Sequence, residues 1–226
     1  MIRHLSPNFG QRRGGATPSL IVLHYTAMAS TGAALSRLCD PAAEVSAHYL
    51  IAPDGTTHHL VPEEARAWHA GAGEWAGISD VNSHSIGIEL ANSGAEPFPH
   101  RQMLALDSLL SVLLARWKIQ PWRVIGHSDM APGRKSDPGP RFDWRRLARM
   151  GLSVWPADHP VSGHDPSPFR DLASAFGYPL IVDDATLLRA FRLRFRPWAT
   201  GPLDARDMTL VQGLARFHVD LPLHSA

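Results

Sequence analysis

The sequence predicts an α/β fold, a mixed central β-sheet flanked by helices, with a small C-terminal helical module. Three observations lead there. Short apolar runs alternate with helix-like segments through residues 19–150. Two of those runs flank an Asp-Gly turn, so the sheet contains an antiparallel pair beside its crossover connections. Residues 169–220 carry helical periodicity without strand alternation.

Each element has a local reason. Leu20 to Tyr25 is a short apolar run after a Gly/Pro-containing loop, which reads as a buried strand ending in a histidine and a tyrosine. Thr31 to Leu38 reads as a helix closed by Asp40 and Pro41. His48 to Ile51 and Thr56 to Val61 form a hairpin around Pro53, Asp54 and Gly55. Ser85 to Leu90 is a strand in which Ile86, Ile88 and Leu90 alternate with Gly87 and Glu89. Pro99 to Trp117 is an amphipathic helix with Met103, Leu106, Leu110, Leu113, Leu114 and Trp117 on one side. Trp122 to Ile125 is the last strand, followed by a Gly/Pro-rich loop from Gly126 to Pro140 and a closing helix from Phe142 to Met150. The Pro-rich, polar stretch 155–168 reads as a linker, dividing a domain at 1–154 from a module at 169–226. There the segments Phe169–Phe176, Asp183–Phe195 and Asp204–Val219 are the expected helices.

Composition narrows the function. With 226 residues, 44% of them hydrophobic, the chain can bury a core. A formal net charge of +1 gives no reason to expect nucleic acid as a partner. One cysteine, Cys39, forbids an internal disulfide and a cysteine zinc finger. A metal site would then use histidine and carboxylate ligands, and the chain has 13 histidines. No stretch reaches the ~20 apolar residues of a membrane span. The N-terminus has no apolar signal region, so a cytoplasmic location is expected, or a periplasmic one if the start was trimmed.

The candidate chemistry gathers at strand ends. His24 ends the first strand, His127 follows the last, and Asp137 lies in the loop ten residues further on. Two histidines and a carboxylate form a hydrolytic type of zinc site, with a fourth position left for water. Glu89 is a carboxylate in an otherwise apolar strand and needs a partner or a raised pKa if buried. It reads either as a general base or as a residue on the solvent face of an edge strand. Of 22 basic residues only Lys118 and Lys135 are lysine, and Lys135 lies two positions before Asp137. A compact ammonium there suits an oxyanion; the alternative is a solvated loop lysine.

These residues match a family. The run Gly126-His-Ser-Asp-Met-Ala-Pro-Gly-Arg-Lys-Ser-Asp-Pro-Gly-Pro-Arg-Phe-Asp-Trp144 resembles the zinc-ligand loop of the amidase-2 type N-acetylmuramoyl-L-alanine amidases, relatives of the peptidoglycan recognition proteins. Residues 21–26, 45–55, 67–71 and 82–90 fit the same pattern in the same order, and together they cover 19–146. The resemblance implies a Zn2+ cofactor on His24, His127 and Asp137, Glu89 as general base and Lys135 as stabiliser of the tetrahedral intermediate. It also implies Tyr25, Arg66, Trp68, His69 and Asn82 as substrate-facing residues, with Arg66 meeting a stem-peptide carboxylate. The implied substrate is the amide between the lactyl group of N-acetylmuramic acid and L-Ala, on soluble anhydro-muropeptides in bacterial cell-wall recycling. The alternatives are a periplasmic or phage-type amidase acting on intact peptidoglycan and a non-catalytic peptidoglycan-binding protein. The C-terminal segment resembles the three-helix peptidoglycan-binding module of the AmpD/AmiD-like branch. Its other reading is a helical cover, with Arg189, Arg192, Arg194 and Arg196 as a solvated face.

Overall fold

A computed structural model describes residues 1–156 and 168–218. A six-stranded mixed sheet forms its centre, in the order β1-β5-β4-β7-β3-β8. The strands are β1 (Ile2–Arg3), β3 (Leu20–Tyr25), β4 (Tyr49–Ile51), β5 (Thr57–His59), β7 (Ser85–Leu90) and β8 (Val124–Gly126). Within this sheet the β4–β5 hairpin is antiparallel, and the β1–β5, β4–β7, β7–β3 and β3–β8 pairs are parallel. Strands β2 (Phe9–Gln11) and β6 (Ala65–Ala67) make a separate antiparallel ribbon. Neither ribbon strand nor β1 was expected, because runs of two or three residues carry no readable alternation. The helices of this part are α1 (Thr31–Cys39), α2 (Val81–His84), α3 (His100–Trp117), α4 (His127–Met130) and α5 (Trp144–Arg149). Ser30 caps α1 by accepting a hydrogen bond from the Ala33 N–H at 3.1 Å.

The two faces of the sheet have different partners. Ile21, Leu23, Ile86, Ile88, Leu90 and Val124 pack under the apolar stripe of α3. On the other face, Leu20, Val22 and Ile125 pack with Met130 and with the C-terminal helices α6 (Phe169–Phe176), α7 (Asp184–Phe195) and α8 (Ala205–Ala215). Asp183 caps α7 through the Thr186 N–H at 2.8 Å. These helices share a continuous apolar core with the sheet, through Phe169, Phe176, Phe191, Phe195 and Leu214. Most of the 155–168 linker, and the end of the last expected helix at Val219, lie outside the described residues.

Of the α7 arginines, Arg189 is exposed, but Arg192 and Arg194 do not belong to a solvated face. Arg192 and Arg194 are buried, and each meets a buried aspartate: Arg192 with Asp207 at 2.5 Å, and Arg194 with Asp129 at 2.9 Å. The guanidinium of Arg194 also lies 4.2 Å over the Trp144 ring. Asp129 accepts the Tyr178 O–H at 2.6 Å and the Gly126 N–H at 2.8 Å. The C-terminal helices are thus tied to the turn that carries His127.

Candidate active site

The chemistry sits where the parallel strands end. Along β7 the even residues face α3, so Ser85, Gly87 and Glu89 share the opposite face. In register, His24 of β3 lies beside Glu89 of β7, two neighbouring strands of the sheet interior. Glu89 is therefore on a central strand and not on an edge. His127 is the first residue after β8, at the start of α4. Gly126 before it has no room for a side chain, since a Cβ there would lie 2.8 Å from Pro138. The loop folds back so closely because the Ser128 N–H donates to the Asp137 carbonyl at 2.9 Å.

His24, His127 and Asp137 converge, each at least nine-tenths buried. Nδ1 of His24 is 2.9 Å from Nδ1 of His127 and 2.9 Å from Oδ2 of Asp137, and Nδ1 of His127 is 3.0 Å from that oxygen. Nε2 of His127 faces the Ala70 carbonyl at 2.8 Å. A carbonyl only accepts, so His127 keeps its proton on Nε2 and turns a lone pair toward Asp137. Burial, helped by the neighbouring His127, lowers His24 to about 4. In that tautomer, ring-nitrogen lone pairs and a carboxylate oxygen face one another. A cation satisfies that arrangement, and two imidazole nitrogens with one carboxylate oxygen at mutual distances near 3 Å are the donor set of zinc.

Glu89 lines the same cleft, about 470 Å3 in volume, with Tyr25, Trp68, His69 and Lys135. Burial, reinforced by Asp137 and opposed by Lys135, raises its pKa to about 8. Oε2 of Glu89 is buried without a hydrogen-bond partner. A carboxyl of that kind is poised to exchange a proton near neutral pH. Lys135 is exposed at the lip of the cleft.

The other expected residues fall into two groups. Tyr25 and Trp68 line the cleft, and the Tyr25 hydroxyl lies 3.0 Å from Ser136 Oγ. Asn82 and Arg66 border the adjoining pocket, but Oδ1 of Asn82 and two of the three guanidinium nitrogens of Arg66 are engaged within the protein. Asn82 Oδ1 accepts the N–H groups of His69 and Ala70 at 3.1 and 2.9 Å. Arg66 reaches Asp80 at 2.9 Å and Ser83 Oγ at 3.1 Å. His69 lines the cleft and also contacts His24, with Nδ1 3.0 Å from His24 Nε2. Sequence reasoning did not single out Arg134. Its guanidinium donates to the Ala70 carbonyl at 2.7 Å and to that of Ala72, bracing the segment that orients His127. Its place in the loop beside Lys135 was the available signal.

A buried His-His-Asp cluster beside a perturbed carboxyl, at the open ends of parallel strands, is the arrangement of a hydrolase cleft with a candidate metal site. Residues 14–140 match the amidase-2 family of N-acetylmuramoyl-L-alanine amidases. N-acetylmuramoyl-L-alanine amidase AmiD of Escherichia coli K12 is 34% identical, over 86% of this chain and 81% of that protein. The 1,6-anhydro-N-acetylmuramyl-L-alanine amidase AmpD of Citrobacter freundii is 33% identical, over 68% of this chain and 90% of that one. In structure, AmiD from E. coli, solved with anhydro-N-acetylmuramic acid-L-Ala-D-gamma-Glu-L-Lys, superposes with a TM-score of 0.81 and 31% identity, covering 93% of this chain and 98% of that one. AmpDh3 from Pseudomonas aeruginosa, solved with an anhydromuramic pentapeptide, gives 0.80 and 33%, covering 94% and 95%. The chain belongs to the amidase-2 family and is an amide hydrolase.

Proposed function

We propose that the protein is a zinc-dependent amidase that hydrolyses the bond between the lactyl group of N-acetylmuramic acid and L-Ala, on soluble anhydro-muropeptides. The observation that carries this reading is the convergence of His24, His127 and Asp137 at mutual distances of 2.9–3.0 Å, in the cleft that holds Glu89. Two solved relatives of matching fold hold anhydromuramic peptides, which supports the substrate class.

His24, His127 and Asp137 would hold the zinc, which when bound supplies Lewis-acid polarisation of the scissile carbonyl and acidifies water. Glu89 takes the proton of the attacking water and delivers it to the leaving nitrogen of L-Ala. The same carboxyl serves both halves of that transfer, because an amide nitrogen leaves only once it is protonated. Lys135, at the lip, places its ammonium against the oxygen on which negative charge develops. Tyr25 and Trp68 supply cleft wall for the sugar and the first stem residues. Residues 1–154 carry this chemistry. The helices between residues 169 and 218 serve as a cover that completes the core, and they border a groove of about 1190 Å3 that Lys135 and Ser136 also line.

Incubating the zinc-loaded protein separately with anhydro-muropeptides and with intact sacculi, and identifying products by mass, tests the reading. Free stem peptide released from the anhydro-muropeptides, and little from sacculi, is expected. Release from sacculi alone assigns the enzyme to intact wall, and binding without release makes it a non-catalytic recognition protein.

A further inference from the structure

The resemblance casts His69 as substrate-facing wall, yet both of its ring nitrogens are engaged inside the protein. Nδ1 lies 3.0 Å from Nε2 of His24, and Nε2 lies 3.1 Å from the Ser85 hydroxyl. Ser85 is fully buried, and its Oγ–H donates to the Val81 carbonyl at 2.6 Å. The ring itself is seated on β7. A Cβ at Gly87 would lie 2.4–2.6 Å from three atoms of the imidazole, so the missing side chain is the seat. The His69 backbone N–H is fixed by Asn82.

This chain of contacts has one direction. The Val81 carbonyl can only accept, so the Ser85 hydroxyl donates to it and offers its lone pairs to His69. His69 therefore carries its proton on Nε2 and presents an acceptor at Nδ1. His24 then carries its proton on Nε2 and turns its Nδ1 lone pair toward His127 and Asp137. The Ala70 carbonyl does the same for His127 in a single step. Each ligand histidine thus has its tautomer set by a backbone carbonyl, directly for His127 and through two side chains for His24.

We infer that His69, with Ser85 behind it, is a positioning residue that fixes the tautomer and ring orientation of His24 for metal binding. This rests on the zinc reading above. The whole polar face of β7 then has a use: Ser85 ends the relay, Gly87 seats the ring and Glu89 faces the reaction. Partners of this kind typically account for 10–100-fold in metal affinity.

The test uses the full chain, stripped of metal, with zinc affinity read by competition against a chromophoric chelator and the visible spectrum of the cobalt-loaded protein as a second readout. His69→Leu removes the acceptor and is expected to weaken zinc about 10–100-fold and to shift the cobalt bands. His69→Asn places an oxygen near the Nδ1 position and is expected to recover most of the affinity. Ser85→Ala keeps the ring and removes only the terminal hydroxyl; a loss of a few-fold in the same direction is expected, and it decides the question if His69→Leu fails to fold. Unchanged zinc affinity in His69→Leu and Ser85→Ala, with a raised KM in the former, would overturn the relay and return His69 to the substrate wall. Failure of the unmutated chain to bind zinc tightly would overturn the metal reading itself, and the relay with it.

Discussion

Replacing Glu89 with glutamine separates what the site costs the fold from what it gives the chemistry. In the metal-free protein the Glu89 carboxyl titrates at about 8 against its usual 4.5, because it is buried and close to Asp137, with Lys135 opposing. The unfolded chain loses this proton near 4.5, while the folded chain keeps it until about 8. Between those values the folded state binds the extra proton, so stability falls as pH rises through the window and levels off above it. A shift of that size corresponds at most to ~5 kcal/mol at ~1.4 kcal/mol per unit. The side chain borders an open cleft, and solvent there reduces the cost to about 2 kcal/mol. Glu89→Gln keeps the shape and removes the ionisation. In chelator at pH 8 the variant should therefore melt about 4–8 °C above the unmutated protein, for a chain of this size. At pH 4.5 the two should coincide to within a degree or two. The same substitution should retain zinc binding and lose most turnover. Scanning calorimetry at the two pH values decides it. A variant that is less stable at pH 8, or shifted equally at both, refutes the assignment of Glu89 as a buried, strained carboxyl.

Other expectations follow from neighbouring contacts. Gly87→Ala drives a methyl into the imidazole of His69; zinc affinity measured by chelator competition should fall along with activity, even where circular dichroism shows a folded chain. Arg194→Met leaves Asp129 buried without its cation, and urea unfolding should report a loss of about 3–5 kcal/mol. Lys135→Ala should lower kcat on the order of 100-fold with the zinc content unchanged, and Lys135→Arg should not restore it, since a planar fork does not replace a point charge.

Much of the fold was legible because the long elements carry their own periodicity. The strands Leu20–Tyr25 and Ser85–Leu90 and the helices Phe169–Phe176 and Asp184–Phe195 lie where apolar period and capping residues place them. The short strands β1, β2 and β6 were not legible, since their pairing is set by distant segments and not by local pattern. The four-residue α4 was read as loop, because its neighbours are Gly- and Pro-rich and its cap, Asp129, acts from inside the helix. In the site, His24 and His127 stood out at strand ends, Asp137 in the loop that follows, and Glu89 as a carboxylate within an apolar strand. Ser85, Gly87, Asp129 and Arg134 did not, because each works through a partner far away in sequence or through the absence of a side chain. The alternation of Ser85, Gly87 and Glu89 along one strand was the available clue. The arginines of α7 read as a solvated face from charge alone; only the fold places Asp207 and Asp129 beside them. No helix among the described residues is long and apolar enough to cross a membrane.

Amide hydrolysis at the lactyl–alanine bond, dependent on zinc at His24, His127 and Asp137, is the proposed reaction. The most direct measurement is mass spectrometry of a defined anhydro-muropeptide turned over in 18O-labelled water by metal-free and by zinc-loaded protein. Cleavage only with zinc, one 18O in the lactyl carboxylate of the sugar fragment, and an unlabelled peptide beginning with free L-Ala are expected. Cleavage at equal rate in the stripped protein, or label appearing in the peptide at another bond, would contradict it.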